Sequence, residues 1–535
     1  MNPTYPVFLR RAALLAGVAF VSFALQLTAQ SISTWDGGTN GTGTSWATSA
    51  NWTGDTLPTN ASTTTVRIEN ANSTGIIGGS SSFMTISANR TLGSVVFSNI
   101  NSKLPSTLNI DANQSGTTTN RTLTLHSGII LENTSTTVAF RGDTADGTLT
   151  IALGADNTFH VADLGAQLSI LNNVAITGTN SIQKTGLGTL LMGTGSTFSG
   201  GLTLVDGRLR TNGSSIQSSG SITSGPMGTG TLTLQGGILQ SFSGTTRTYH
   251  NSVLIDGNVT LGGLAPDGVT QTGQQTFSTL TGGTTTVTGN RILTTGSNVV
   301  WNQTIGGTGG IVKSGSATLT LAGANTYAGE TIVNEGNLLL SGSLTGGLSV
   351  SNGAVFSGSG TVGGAATIAG THNPGNSPGI QTFASDLTYH TGASVNWELN
   401  DNTSTQGDPT AVFDQVVVGG TLDFAGPTSL ALSFNGAGST VDWSNAFWLS
   451  NQSWKIYDTA AVSGFGNLSL TSANWADASG DLFDTVLAGS SFSLSVVGTD
   501  VYLNYAAIPE PSTYAALLGL AGLALVAWRR RVQQG

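Results

Sequence analysis

The sequence predicts an all-β protein whose central part is a stack of short strands. Glycine accounts for 75 of the 535 residues, and glycine and β-branched residues are weak helix formers. Leucine and valine alternate with threonine and serine in short runs, which places the apolar side chains on one face of a strand. A segment of the chain also recurs with the same residue pattern, and such a repeat predicts stacked structural units.

The scarcity of charge excludes several classes of function. Charged residues make up 8% of the chain, against about a quarter in typical globular proteins. Five of the 17 Lys and Arg residues lie at the two ends, and the body between them carries 12 basic and 26 acidic residues. We therefore predict no nucleic-acid partner, because duplex binding depends on Lys and Arg contacts to phosphates. Cysteine is absent, which excludes disulfides, thiolate metal ligands and cysteine nucleophiles.

Residues 1–30 have the three parts of a secretion signal. Arg10 and Arg11 precede an apolar run over residues 12–27, and cleavage is predicted after Ala29 or Gln30. A membrane anchor is the alternative, but the run is shorter than the ~20 residues that a spanning helix needs. The general secretion (Sec) translocon is therefore the expected export partner.

Residues 31–80 are predicted to form an N-terminal cap on the stacked strands. They contain Trp35, Trp46 and Trp52, a cluster that could cover the exposed first unit of a stack. An aromatic sugar-binding site is the alternative interpretation. Capping is favoured because stacked repeats need a terminal unit that shields the core.

The internal repeat defines the next region, residues 81–380. Residues 184–210 align without gaps on residues 313–339, and Lys184 matches Lys313. Within the second copy, the pattern predicts strands over 318–321, 331–333 and 337–340, with glycines at the turns between them. Such units cannot bury a face alone, but they can stack in a parallel coil. The equivalent positions of the two lysines predict a structural role for both.

The repeat resembles the autotransporter-associated β-strand repeat. That family has a Lys-x-Gly-x-Gly-Thr-Leu-x-Leu strand, then Asn-Thr-Tyr-x-Gly-x-Thr, then a Gly-x-Leu strand; residues 313–340 match this pattern well and residues 184–210 match it moderately. The resemblance implies a right-handed parallel β-helix. Self-translocation through a barrel of the autotransporter type is not expected.

Residues 381–507 are predicted to be a separate C-terminal β region. They hold more charge and more tryptophan than the repeats, and residues 413–418 and 492–497 are expected to be strands. Two arrangements are open at this stage, either the last coils of the stack or a small sandwich.

Residues 508–535 combine a short motif, an apolar run and a basic cluster. A helix over residues 514–528 is expected to be transmembrane and to anchor the chain transiently in the inner membrane, with the basic cluster on the cytoplasmic side. The segment resembles the PEP-CTERM sorting signal, which implies processing by an exosortase and delivery to the cell surface or the medium. The residues of the sorting motif are Pro509, Glu510, Pro511, Arg529, Arg530 and Arg531.

Three patterns that resemble catalytic or cofactor motifs lack the expected context. Residues 375–379 fit Gly-x-Ser-x-Gly but have prolines on both sides of the serine and no helical pattern after it. Gly358, Gly360 and Gly363 fit a dinucleotide motif without a following helix. The densest acidic stretch is interpreted as loop caps and strand ends; it consists of Asp401, Asp408, Asp414 and Asp423. We therefore predict no catalytic, cofactor-binding or metal-binding residues.

The function predicted from these features is that of an exported, non-enzymatic protein of the cell surface or extracellular matrix. Adhesion or structural spacing is the expected role, because flat faces rich in threonine, asparagine and serine can hydrogen-bond exopolysaccharide or other surface glycans. The alternative is a carbohydrate-active β-helix enzyme, a polysaccharide lyase or hydrolase, which needs three or more acidic residues gathered in one groove.

Overall fold

A computed structural model describes most of the chain from Gln30 onward. The described residues are 30–38, 43–69, 83–98, 104–112, 119–132, 135–142, 147–171, 173–278, 283–375, 378–407, 411–471, 473–508 and 518–532, together with the backbone of 511–517. The predicted secretion signal through Ala29, and Pro509 and Glu510 of the sorting motif, lie outside the described residues.

Short strands with alternating buried and exposed side chains follow one another from Ser31. The alternation arises because successive side chains of an extended chain point to opposite faces. The first strands are β1 (Ser31–Trp35), β2 (Thr64–Ile68), β3 (Phe83–Thr85), β4 (Arg90–Ser98), β5 (Thr107–Asp111), β6 (Arg121–Glu132), β7 (Thr137–Arg141), β8 (Leu149–Leu153), β9 (Asn157–Val161), β10 (Gln167–Ile170), β11 (Val174–Thr177) and β12 (Ile182–Thr185).

The strands become shorter and more regular through the repeat region. They are β13 (Thr189–Met192), β14 (Leu202–Leu204), β15 (Arg208–Thr211), β16 (Ile216–Ser218), β17 (Ser221–Ser224), β18 (Leu232–Leu234), β19 (Ile238–Ser241), β20 (Arg247–Tyr249), β21 (Val253–Ile255), β22 (Val259–Leu261), β23 (Gln275–Phe277), β24 (Thr285–Val287), β25 (Arg291–Thr295), β26 (Val299–Trp301), β27 (Ile305–Gly307), β28 (Ile311–Ser314), β29 (Thr318–Leu321), β30 (Ala324–Asn325), β31 (Thr331–Val333) and β32 (Asn337–Leu340). The three strands predicted in the second repeat are confirmed as β29, β31 and β32.

The last strands lengthen toward the C-terminal side. They are β33 (Ser343–Leu344), β34 (Leu348–Val350), β35 (Val355–Gly358), β36 (Thr361–Val362), β37 (Ala366–Ile368), β38 (Thr371–Pro374), β39 (Ile380–Phe383), β40 (Leu387–Tyr389), β41 (Ser394–Glu398), β42 (Gln415–Phe424), β43 (Thr428–Ser433), β44 (Gln452–Ser463), β45 (Leu468–Leu470), β46 (Ser491–Val497) and β47 (Asp500–Ala506). The helices are α1 (Phe483–Val486), α2 (Pro511–Val532) and 3₁₀ turns at Ser49–Asn51, Ala446–Leu449 and Phe465–Asn467.

Parallel pairing joins most strands to their equivalents in the next coil, as predicted for a right-handed parallel β-helix; β16 and β17 instead form a separate antiparallel pair. One sheet runs β1-β2-β4-β6-β9-β12-β14-β18-β21-β24-β27, a second runs from β3 to β44, and a third runs β20-β23-β26-β29-β32-β35-β38-β41-β43-β45. Equivalent residues stack in register, for example Ile311 on Thr331 and Leu319 on Leu338. The inward-facing side chains therefore form one continuous apolar core.

At the N-terminal end, three tryptophans pack into the core beneath the first strand. Trp35, Trp46 and Trp52 are at most 1% exposed, and their rings meet edge to face at centroid distances of 5.0 and 5.9 Å. The indole nitrogen of Trp52 donates to the Trp46 carbonyl at 3.1 Å. Because no ring face of these three residues reaches solvent, this cluster offers no platform on which a sugar could stack.

Toward the C-terminal end, parallel pairing continues past residue 380. Strand β39 pairs with β42, β42 pairs with β44, and β43 pairs with β45, all in parallel. The second sheet then changes direction, because β47 pairs antiparallel with both β44 and β46. Residues 381–470 therefore stack as further coils, and an antiparallel hairpin follows them at residues 491–506.

The C-terminal helix α2 follows the hairpin. Arg529, Arg530 and Arg531 occupy its last turn, and its described side chains, from residue 518 onward, are exposed. The transmembrane helix predicted over residues 514–528 is not found: among the described residues, no helix is both long and apolar enough to cross a membrane.

Candidate functional site

The two repeat lysines lie inside the coil and bind backbone carbonyls. Lys184 and Lys313 are each 0% exposed. The Lys313 ammonium donates to the carbonyls of Ser314, Gly315 and Glu335 at 3.1, 2.6 and 2.9 Å. The first two carbonyls belong to the turn of its own coil, and the third belongs to the next coil. One ammonium group therefore links the same corner of two successive coils.

Lys184 makes the same three contacts in the first repeat. Its ammonium donates to the carbonyls of Thr185, Gly186 and Asp206 at 2.9, 2.7 and 3.1 Å. Burial lowers the pKa of both lysines to about 8, and this shift is partly opposed by the negative charge of the acidic side chain of the next coil, Asp206 or Glu335. All three protons of each ammonium are used within the fold, so neither lysine is available to a ligand.

A glycine beside each lysine is required by close approach of the backbone. A Cβ atom on Gly336 would lie 2.4 Å from the Gly315 carbonyl oxygen and 2.9 Å from the Lys313 nitrogen. Gly207 has the same surroundings in the first repeat, and both glycines have a positive φ, +66° and +69°. The Gly-x-Leu part of the repeat pattern thus begins with glycine, because the lysine and a backbone carbonyl occupy the space that a side chain at this position would need.

Polar groups at the next corner differ between the repeats. Buried Asn325 accepts from the Ile305 amide at 3.0 Å and donates to the Gly323 and Ser343 carbonyls at 2.9 and 3.1 Å. The hydroxyl of Tyr327 lies 2.5 Å from that of Thr331. In the first repeat, Ser196, Phe198 and Leu202 stand at the three equivalent positions.

A polar cleft lies on the outer surface of the last regular coils. It has a volume of about 290 Å³, and we call it the Asp414 cleft. Strands β32, β35, β38 and β41 and the segments after β38 and before β42 supply its lining residues: Leu339, Ser357, Asn373, Pro374, Gly375, Asn396, Glu398 and Asp414.

Asp414 is a buried carboxyl at the wall of this cleft. It is 1% exposed, and its two oxygens accept from the backbone amides of Gly379 and Glu398 at 2.8 and 3.0 Å. Burial, opposed in part by these two donors, raises the pKa of Asp414 to about 8. Below that pH the carboxyl therefore carries a proton that it can donate.

Two asparagines from neighbouring coils form part of the cleft lining. The amide nitrogen of Asn396 donates to the side-chain oxygen of Asn373 at 2.8 Å. This bond leaves the Asn373 nitrogen and the Asn396 oxygen without a hydrogen-bond partner among the described residues. The cleft therefore presents both a donor and an acceptor on adjacent strands.

The other residues of the acidic stretch are not part of this cleft. Asp401 is exposed, and Asp423 accepts from the Ser463 hydroxyl at 2.5 Å. Asp408 lies outside the described residues. Within the described part of the chain, no three His, Asp or Glu side chains are grouped so that they could hold a metal ion.

His372 lies close in sequence to the Gly-x-Ser-x-Gly pattern of residues 375–379. His372 is buried in the core, where its two ring nitrogens lie 2.6 Å from the Tyr389 hydroxyl and 2.5 Å from the Gln381 carbonyl oxygen. Burial lowers the pKa of His372 to about 4. Ser377 is outside the described residues, and strand β39 rather than a helix follows the motif. His372 is thus occupied by core contacts and does not face a surface hydroxyl.

Strands also follow the glycines of the dinucleotide-like pattern. Gly358 ends β35, and β36 and β37 come next. A dinucleotide site needs a helix whose N-terminus faces the pyrophosphate. The described residues after Gly363 provide a strand at that position instead.

Comparison with protein families assigns both the tail and the repeats. Residues 507–531 match the PEP-CTERM protein-sorting motif. The chain carries a PEP-CTERM sorting signal. Residues 182–210 and 311–340 match the passenger-associated-transport repeat, and they coincide with the two segments that hold Lys184 and Lys313. The PEP-CTERM motif implies processing by an exosortase, and together with the autotransporter-type repeats it supports an exported, surface-associated protein.

Part of this chain is similar to an extracellular serine protease from Serratia marcescens. The two proteins are 39% identical over 103 residues, which is 19% of this chain and 10% of the protease. The chain thus spans about a tenth of the length of the curated relative that it matches.

The Asp414 cleft was missed in the sequence because its residues come from four strands and two connecting segments. Of its residues, the sequence singles out Asp414 as a member of the acidic stretch and Gly375 as part of the Gly-x-Ser-x-Gly pattern, and neither pattern predicts the cleft. An alternating Asn396-Trp397-Glu398 pattern is the one local signal, since it places two polar side chains on the same outer face.

Proposed function

We propose that this protein is an exported structural or adhesion protein of the cell surface or extracellular matrix, released or attached after an exosortase processes its tail. The observation that supports the proposal best is the set of hydrogen bonds by which Lys184 and Lys313 each join two successive coils; we call it the lysine link. The matched repeats use their buried lysines to join successive coils, so the characteristic residues of the repeat serve the length and rigidity of the coil. A long stack with outward threonine, serine and asparagine side chains suits a spacer or an adhesive surface.

Export through the Sec translocon is the first step of the proposal. The side-chain amide of Gln30 donates to the Thr65 hydroxyl, a contact that cleavage after Ala29 retains and cleavage after Gln30 removes. We therefore favour Ala29 as the last residue of the signal. Surface glycans, exopolysaccharide among them, are the proposed binding partners of the exported body.

Intact mass of the protein recovered from the cell surface and from the medium tests the sorting steps. The expected mass lacks residues 1–29 and the helix downstream of the sorting motif, and it includes any group added at the new C-terminus. Replacement of Pro509, Glu510 and Pro511 by alanine should retain the full tail. The control Val497→Ala changes an exposed side chain upstream of the motif and should be processed normally. A wild-type protein that keeps its whole tail would contradict the proposal.

A deletion strain tests the structural role. Loss of the gene should reduce biofilm mass or attachment, and the wild-type gene should restore it. A strain that forms normal biofilm, together with no binding of the protein to a glycan array, would reject the adhesion part of the proposal while the sorting result stands.

A carbohydrate-active enzyme remains the second candidate, because Asp414 and Glu398 both line one cleft. The cleft has two acidic residues, one fewer than this alternative requires. Incubation of the protein with polysaccharide and assay of new reducing ends tests it, and Asp414→Asn should abolish any such activity. The protease activity of the Serratia relative is not proposed for this chain, because the matched segment covers only 10% of that protein.

A further inference from the structure

The Asp414 cleft has the size and shape of a small binding site. Its volume of about 290 Å³ is at the lower end of the roughly 300–1,000 Å³ of small-molecule sites. The floor is a column of side chains stacked in register on the third sheet, from Ser357 to Asn373 to Asn396. Pro374 and Leu339 add apolar surface beside these polar groups.

The polar groups of the cleft do not suit a cation. Both oxygens of Asp414 already accept backbone N–H groups, which direct positive charge toward the place where a metal would bind. Oxygen ligands for calcium come in sets of six to eight, and the described residues hold no group of three or more acidic or histidine ligands. An anion is disfavoured as well, because the acidic side chain of Glu398 lines the same space.

The groups that remain match the hydroxyls of a neutral sugar. The Asn373 amide nitrogen can donate and the Asn396 oxygen can accept, whereas Asp414 is 1% exposed and its two oxygens are taken up by backbone amides. A sugar hydroxyl both donates and accepts, so adjacent hydroxyls can use this pair of asparagine groups. The apolar face of a sugar ring can contact Leu339, which is partly exposed.

We propose that the Asp414 cleft binds one neutral sugar unit of a surface polysaccharide, with Asn373 and Asn396 hydrogen-bonding its hydroxyls. The inference rests on the proposed function, since it names the place on the coil where the exported protein contacts a glycan. Aromatic stacking contributes nothing, because Trp397 beside the cleft is buried and its indole nitrogen donates to the Asp414 carbonyl at 2.6 Å. A single cleft is therefore expected to bind its sugar weakly. Many copies of the protein on one surface would raise the overall avidity for a polysaccharide.

Calorimetric titration of the protein released into the medium tests this site. The probes are cellotetraose, maltotetraose and chitotetraose, each titrated at millimolar concentration. At least one should bind, and Asn396→Leu should weaken that binding at least tenfold. The matched control is Thr320→Leu, which lies in the same outward column four coils before Asn396, next to Leu339, and should change binding less than twofold.

A second variant guards against loss of folding. Asn373→Ser keeps a small polar residue like the neighbouring Ser357 and should weaken binding in the same direction while the thermal unfolding midpoint stays that of the wild type. The inference is overturned if none of the three tetrasaccharides binds, if Asn396→Leu leaves binding unchanged, or if calcium chloride binds at this cleft in their place. Each of these outcomes is independent of the mass measurement that tests sorting.

Discussion

The two matched repeats share one corner of the coil and differ at the next. At the shared corner, Lys184 and Lys313 make the same three carbonyl contacts, and Gly207 and Gly336 leave room for them. At the other corner, the second repeat has Asn325 and a Tyr327–Thr331 hydroxyl pair, whereas the first has serine at the first position and an apolar pair at the others. A charge buried in the fold constrains its surroundings fully, while a neutral pair can be exchanged for an apolar pair of similar size.

The physical reason is the cost of leaving polar groups unpaired. Three carbonyls arranged around an ammonium lose their partner together if the lysine is replaced, and each buried orphan costs roughly 1–3 kcal/mol. The two hydroxyls of Tyr327 and Thr331 satisfy each other, so replacing both leaves nothing unpaired. The four predictions below test this difference.

The largest effect is expected from removal of a repeat lysine. Lys313→Met keeps the length of the side chain but removes the ammonium that donates to three buried carbonyls, so the free energy of unfolding should fall by about 4 kcal/mol, and Lys184→Met should match it. Urea denaturation followed by circular dichroism measures both. As a control, Lys455→Met removes a partly exposed ion pair with Asp500 and should cost less than about 1 kcal/mol. Equal effects at all three positions would refute the link.

The glycine beside the lysine should be nearly as sensitive. Gly336→Ala combines an unfavourable φ with a Cβ placed against backbone and lysine atoms, and about 3 kcal/mol of stability should be lost. Gly353 also has a positive φ, +82°, but a Cβ there would contact nothing within 4 Å. Gly353→Ala should therefore lose only about 1 kcal/mol, and thermal unfolding of the two variants separates crowding from backbone strain.

A smaller effect is expected where the repeats begin to differ. Asn325→Ala removes three hydrogen bonds, and we expect a loss of about 2 kcal/mol. The equivalent Ser196 accepts one bond, from the Ile176 amide at 3.3 Å, so Ser196→Ala should cost about 1 kcal/mol or less. Hydrogen exchange at the Ile305 and Ile176 amides reports each loss locally. Equal protection losses at both amides would show that the extra bonds of Asn325 add nothing.

The smallest net effect should come from exchanging the hydroxyl pair. Tyr327→Phe leaves the Thr331 hydroxyl buried without its partner, at a cost of about 1 kcal/mol, and Thr331→Val should do the same to Tyr327. The double variant replaces the hydroxyl pair by Phe and Val, an apolar pair similar to Phe198 and Leu202 of the first repeat, and should be close to the wild type in stability. A double-mutant cycle measures this coupling, and strictly additive losses would contradict it.

Much of the fold could be predicted because the repeat pattern is local. Alternation in Thr318–Leu321 and the glycine turns predicted the strands, and the resemblance of the repeat supplied the handedness of the coil. The end of the parallel stack could not be placed, because residues 381–507 carry strand patterns that suit either coils or a sandwich. Pairing partners of β44 are set by contacts with residues 40 or more positions away, which no local pattern contains.

The candidate site was far less accessible from the sequence. Asp414 resembles any acidic residue at the start of a strand. Neither its burial nor its nearness to Asn373 and Asn396 can be inferred from the residues beside it in the sequence. Conversely, His372 stood close to a serine motif in the sequence, yet the fold turns its ring into the core.

The sequence by itself predicted a secretion signal, and it determined the sorting tail, the strand periodicity and the recurrence of lysine and glycine at equivalent positions of the two repeats. These features depend on residues that are neighbours along the chain or on a pattern repeated in it. The tertiary structure alone decided what the lysines bind, how far the parallel coil extends, and that Asp414 lies with two asparagines at one cleft. Those properties depend on which coils stack against each other, since stacking brings carbonyls, amides and carboxyls from distant segments within hydrogen-bonding distance.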